Sequence, residues 1–102
     1  MNPQPERRKH ARVSADQRLD YVIGRHQGSG RLADISLGGI GLLAPDPSLR
    51  KGVQTRVRFQ VGSETIETDV EVCHVGEGRL GAFFRNLNDQ QRTALEKLIP
   101  QA

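Results

Sequence analysis

Two short stretches carry residue types that could bind a charged, planar ligand. The first is Arg8-Lys-His-Ala-Arg12, two arginines four apart with Arg7 just before them. The second is Asp34-Ile-Ser36-Leu-Gly38-Gly39. A guanidinium fork donates to guanine O6 and N7, stacks on the face of a base, or pairs with phosphate. A carboxylate is the complementary acceptor for guanine N1–H and the 2-amino group. In an extended strand Asp34 and Ser36 share one face, and Ala33, Ile35 and Leu37 share the other. If the aliphatic face is the core, Asp34 and Ser36 lie together on the outer wall. Gly38 and Gly39 remove side chains beside them and allow a positive φ or a close approach to the backbone. A doubly negative guanine nucleotide would satisfy this set. Two blander readings stand beside it. The arginines can be a solvated tail, and Asp34 and Ser36 can form an Asx or ST turn ahead of Gly38.

Charge placement gives the arginines weight. Of the net charge of +3, residues 1–12 supply all: four basic groups against Glu6, while residues 13–102 balance eleven of each sign. A cationic arm on a neutral body suits a small or local anion better than a nucleic-acid coat. With Pro3, Pro5 and almost no apolar side chains, residues 1–16 are expected to be a flexible arm.

The rest of the chain must supply the wall. Leu19, Tyr21 and Ile23 alternate with polar residues, Gly28-Ser-Gly30 suggests a turn, and Ala33, Ile35 and Leu37 continue on one face. Ile40 to Ala44 follows, and Pro45 and Pro47 mark a loop. Val53, Thr55, Val57, Phe59 and Val61 give the clearest period of two, with Gln54, Arg56, Arg58 and Gln60 between them. Gly62-Ser63 reads as a hairpin turn. Ile66, Thr68, Val70 and Val72 alternate with acids, Gly76-Glu-Gly78 turns again, and Leu80 to Phe84 makes a last strand. The expected fold is mainly β: a six-stranded antiparallel β-barrel, closed so that no edge is left exposed. It spans residues 17–87. Asn88-Asp-Gln-Gln91 resembles a capping box, and Leu95, Leu98 and Ile99 form an apolar stripe ahead of Pro100, so residues 88–102 are expected as a C-terminal α-helix packed on the barrel.

Other chemistry finds little support. Cys73 and His74, as neighbours on a strand, should face opposite sides, which argues against a nucleophile–base pair. No spacing suggests a metal site, a cofactor or a catalytic residue, so the chain is not expected to be an enzyme. One cysteine, no apolar leader and no run of about 20 apolar residues favour a cytoplasmic protein without membrane insertion. Four aromatics, mostly in core registers, and a neutral body argue against specific nucleic-acid binding. Phe83 and Phe84 should point oppositely, one into the core and one under the helix. Gly81 is expected to be a packing glycine.

Taken together, the two motifs resemble those of the PilZ domain family, small β-barrels that bind the bacterial second messenger cyclic di-GMP. Arg8 and Arg12 match the family's R-x-x-x-R, and Asp34, Ser36 and Gly39 match its [D/N]-x-S-x-x-G. The resemblance extends over the arm, the strands including Leu80-Gly-Ala-Phe83, and the helix. It implies that Arg8 and Arg12 clasp guanine and phosphate as the arm orders over the ligand. It further implies that Asp34 takes a guanine edge, that Ser36 bonds base or phosphate, and that Gly39 leaves room. Gly38 belongs to the same expected ligand-binding set. Arg7 fills the position that, in the family, goes with a stacked pair of cyclic di-GMP molecules. Many relatives carry proline just before the second motif arginine, where this chain has Ala11. A stand-alone receptor of this kind has to signal through a downstream protein partner. The alternatives are a small nucleic-acid-binding barrel or a protein-interaction module that does not use the ligand.

Overall fold

A computed structural model describes residues 12–44 and 46–99. Six strands and one helix follow in order: β1 (Val13–Ile23), β2 (His26–Ile35), β3 (Gly39–Leu43), β4 (Gln54–Val61), β5 (Glu64–Val75), β6 (Arg79–Phe84) and α1 (Asp89–Leu98). The strands close into an antiparallel barrel in the order β1-β2-β3-β6-β5-β4. Closure gives every strand a paired neighbour on each side. It also brings β6, late in the chain, beside β3 and one strand away from β2.

Period-two alternation places the core. Along β4, Thr55, Val57, Phe59 and Val61 point inward, while Gln54, Arg56, Arg58 and Gln60 face solvent. Across the turn at Gly62, Ile66, Thr68, Val70 and Val72 do the same. Leu19, Tyr21, Leu32, Ile35, Ile40, Leu42 and Leu80 complete the barrel interior. Each fully buried aliphatic side chain contributes about 1.5–3 kcal/mol. The two inward threonines are satisfied by backbone carbonyls, Thr55 Oγ1 donating to Val22 O and Thr68 Oγ1 to Asn86 O.

The helix starts on the expected signal. Asn88 accepts from the Gln91 N–H, and Gln91 Oε1 accepts in return from the Asn88 N–H. Its buried face is Ala94 and Leu95, joined by Ile99, whereas Leu98 is exposed. Among the described residues, no helix is long and apolar enough to cross a membrane.

Several local expectations change. β1 begins at Val13, so residues 13–16, assigned to the arm, are strand. Val13 and Ala15 pack against the core, and Ser14 pairs with Asp34. Gly28 and Gly30 lie within β2 rather than in a turn, and the hairpin turns at Gly24 with φ +58°. Both strand glycines are close-approach positions: a Cβ on Gly28 would overlap the Tyr21 hydroxyl, and one on Gly30 would lie 2.8 Å from Leu43 O. Phe84 packs against the core beside Phe59, but Phe83 is exposed instead of lying under the helix.

Candidate functional site

The end of β2 is irregular, and the irregularity builds the site. Leu32 pairs with Leu42 and Asp34 with Gly41, so Ala33 is an extra residue opposite β3. On the other side, Ala15 and Asp16 of β1 face Ala33 alone, with Asp16 at φ +53°. Such bulges bend a strand and re-aim its side chains. Leu32 and Ile35 are therefore the inward pair, three apart, and Ala33 and Leu37 are only half-buried. Of the expected inward set, Ile35 is core and Leu37 packs against it, but Ala33 sits at the bulge and Leu32 takes the inward place, because a strict period of two does not survive a bulge.

Asp34 does face the outer wall. Its side chain is 16% exposed and lies over Gly41, where an added Cβ would be 2.7 Å from Oδ1. Arg12 Nη1 donates to Asp34 Oδ1 at 2.7 Å, and Arg79 Nη2 donates to Oδ2 at 2.8 Å. One carboxylate between two guanidiniums leaves a local charge of +1. Both arginines are about half exposed. A guanidinium carries five N–H donors, so each has further donors to offer an anion.

Ser36 has a different place. It is buried just beyond β2, in the turn to β3. Its hydroxyl oxygen accepts from the Gly38 and Gly39 N–H groups, both at 3.1 Å, and donates to Gly39 O at 3.3 Å. The Ser36 N–H closes the turn on Gly39 O at 2.8 Å. Gly39 is buried against β6, and a Cβ there would overlap the carbonyl oxygen of Ala82. The Phe84 N–H donates to Gly38 O on the same seam. The turn is thus tied to β6 by backbone, and it fixes where β2 ends and where Asp34 stands.

The structure brings Arg12, from the first motif, onto Asp34, from the second. Ser36, Gly38 and Gly39 form the turn behind them, and Arg7 and Arg8 lie outside the described residues. Arg79 was missed by sequence reasoning. Its only local signal is an outward register after the Gly78 turn, and nothing near it in sequence points to Asp34.

A second cluster also escaped that reading. The buried Tyr21 hydroxyl donates to Asp46 Oδ2, His26 Nε2 lies 3.0 Å from the same oxygen, and the Ser48 N–H donates to Oδ1 at 2.8 Å. Burial first, then the Asp46 hydrogen bond and charge, pushes the Tyr21 hydroxyl up to about 12. Hydrogen bonds from Tyr21, His26 and Ser48 hold Asp46 well below the usual carboxylate range. This cluster pins the β3–β4 connection to the β1–β2 hairpin.

The outer strand faces are otherwise self-neutralised. A groove of about 540 Å³ beside β1 is lined by Arg18, Asp20, Arg56, Arg58 and Glu67 among others, but not by Asp34. There Arg18 pairs with Asp20, Arg56 with Asp69 and Arg58 with Glu67 at 2.9–3.5 Å. Among the described residues, no three His, Cys, Asp or Glu side chains gather as a metal site. Cys73 and His74 do not face opposite sides. A bulge between Val72 and His74 leaves both exposed beside Gly81, where an added Cβ would lie 3.7 Å from His74 and 3.9 Å from Cys73. Gly81 consequently has ordinary room around it and is not a packing glycine.

A family model described as PilZ domain matches residues 6–101. Comparison with curated proteins gives no match. Among solved structures, the chain resembles the PilZ domain with c-di-GMP of YcgR from Escherichia coli (TM-score 0.76, 22% identity, covering 91% of this chain and 88% of that one). It also resembles the PilZ domain of CeSA from a cellulose-synthesizing bacterium (TM-score 0.70, 21% identity, 86% and 93% covered). A third match is the Bacillus subtilis inhibitor of motility MotI/DgrA (TM-score 0.78, 20% identity), where 95% of this chain spans 54% of that protein, about half its length. At these identities the likeness to solved structures is one of fold.

Proposed function

The chain belongs to the PilZ domain family, and on that premise we propose that it is a cyclic di-GMP receptor whose ligand sits on the outer wall at Asp34. The observation that carries this reading is the direct Arg12–Asp34 contact, which joins the two motifs at one point of positive local charge. Solved PilZ domains of similar fold, such as that of E. coli YcgR, contain cyclic di-GMP. On this reading Asp34 accepts the guanine N1–H and 2-amino group, while Arg12, Arg8 and Arg7 turn onto the nucleotide as a fork and as phosphate partners. Ser36, Gly38 and Gly39 contribute by shaping the turn that holds Asp34. Ordering of the N-terminal arm over the ligand creates the surface that a downstream partner protein reads. Arg7 allows a stacked nucleotide pair. The protein acts by binding, without covalent chemistry, and in the cytoplasm.

Arginines of β1 and β4 pair with carboxylates of β1 and β5, so these faces offer no run of unpartnered cations among the described residues, which weighs against a nucleic-acid groove. Calorimetric titration with cyclic di-GMP tests the proposal. Saturable heat is expected with one or two nucleotides per chain, and it should be lost in Arg12→Ala and Asp34→Ala while thermal unfolding is preserved. Absence of heat at tens of micromolar nucleotide would overturn it.

A further inference from the structure

Arg79 belongs to neither motif, yet it holds one oxygen of Asp34 while Arg12 holds the other. The two arginines are anchored differently. Arg79 begins β6, and its backbone pairs with Leu43 inside a closed barrel. Arg12 precedes β1, on the segment whose arginines are assigned to the nucleotide. We propose that Arg79 is a positioning residue for Asp34: it keeps the carboxylate aimed when Arg12 turns to the ligand, and so sets the preference for guanine. This rests on the reading that Asp34 accepts a guanine edge.

The chemistry is directional. Guanine presents two N–H donors side by side, and a carboxylate matches both only when its two oxygens lie in the plane of the base. Beneath Asp34 the wall is Gly41, which has no side chain to brace the carboxylate. Its hydrogen bonds from Arg12 and Arg79 restrain its rotation, and the one from Arg79 remains once Arg12 has left. Each carboxylate oxygen has two lone pairs, so Oδ2 can keep Arg79 and accept from the base together. Without Arg79 the carboxylate can still take one donor, but the second loses its alignment.

The 2-amino group of guanine gives a clean test. Wild type and Arg79→Gln are titrated with cyclic di-GMP and with cyclic di-IMP, whose bases lack that group. Wild type should prefer cyclic di-GMP by about tenfold, the worth of a charge-assisted hydrogen bond. Arg79→Gln should bind cyclic di-GMP about tenfold more weakly and lose most of that preference. Its thermal unfolding should stay near that of wild type, since the Arg79 side chain is 54% exposed. A merely structural or bulk-charge role would weaken both nucleotides equally. An unchanged preference, or wild-type affinity in the variant, would overturn the inference while leaving the receptor reading intact. Failure of wild type to bind cyclic di-GMP would overturn both.

Discussion

Replacing Gly39 with alanine separates two roles for a motif glycine: leaving room for a ligand, or letting the barrel close. The geometry favours closure. A Cβ on Gly39 would overlap Ala82 O and lie 2.9 Å from Phe83 Cα and 3.1 Å from Ala82 C. All three are backbone atoms, so no side chain can swing away, and β3 must separate from β6 at the Gly39–Phe83 pair. Overpacking of this kind costs about 1–3 kcal/mol. Weakening the neighbouring Phe84 N–H to Gly38 O bond adds about 1 kcal/mol. A total of roughly 2–4 kcal/mol is a large part of the ~5–15 kcal/mol that holds a domain together. For a domain of this size it lowers Tm by roughly 10–25 °C. Urea and thermal unfolding can be followed by the fluorescence of Tyr21, the sole tyrosine in a chain without tryptophan. Gly41→Ala is the control. Its Cβ would meet the Asp34 carboxylate, the far end of a side chain that can move. Stability should change by less than about 1 kcal/mol, while cyclic di-GMP affinity falls about tenfold or more as Asp34 is pushed off Arg12 and Arg79. A Gly39→Ala protein with wild-type Tm and lost binding would refute the closure argument and restore the ligand-room reading.

Three further outcomes are expected. Ser36→Ala strips the acceptor from the Gly38 and Gly39 N–H groups and should destabilise the domain by about 1–3 kcal/mol in urea titration. Absorbance at 295 nm should show Tyr21 ionising near pH 12, and Asp46→Asn should lower that midpoint only in part, because burial, the largest cause, remains. Because the folded value is raised, this contribution to stability is complete below pH 10 and is lost as pH rises through about 12. Asp46 is the opposite case: its folded value is depressed, so its contribution is present above about pH 4 and is lost as pH falls through its lower folded value. Acid unfolding should accordingly be shallower in Asp46→Asn than in wild type; identical acid profiles would show that the cluster does not couple to folding.

Much of the fold was legible because it depends on local alternation. β4 throughout, and β5 as far as Val72, follow a period of two, and the Asn88–Gln91 capping box forms where its residues stand. Errors arose where the chain departs from local regularity. The bulge at Ala33 shifted the inward set to Leu32 and Ile35, and the one after Val72 put Cys73 and His74 on the same side. Gly28 and Gly30 looked like turn residues because a glycine demanded by a neighbouring strand's packing is indistinguishable, in sequence, from one demanded by a positive φ.

By itself the sequence determined the alternating core, the capped helix, and the residue types of a site able to hold a guanine nucleotide, since each depends on chemistry within a few residues. Only the tertiary structure decided what those types do. Asp34 meets Arg79, 45 positions away in the chain, because the barrel closes with β6 beside β3, and strand order is set by long-range pairing that no local window contains. The same closure presses Gly39 against the Ala82 carbonyl and commits the Ser36 hydroxyl to its own turn. Ser36 and Gly39, expected from the motif as ligand contacts, thus also build the turn and the β3–β6 seam that follow Asp34.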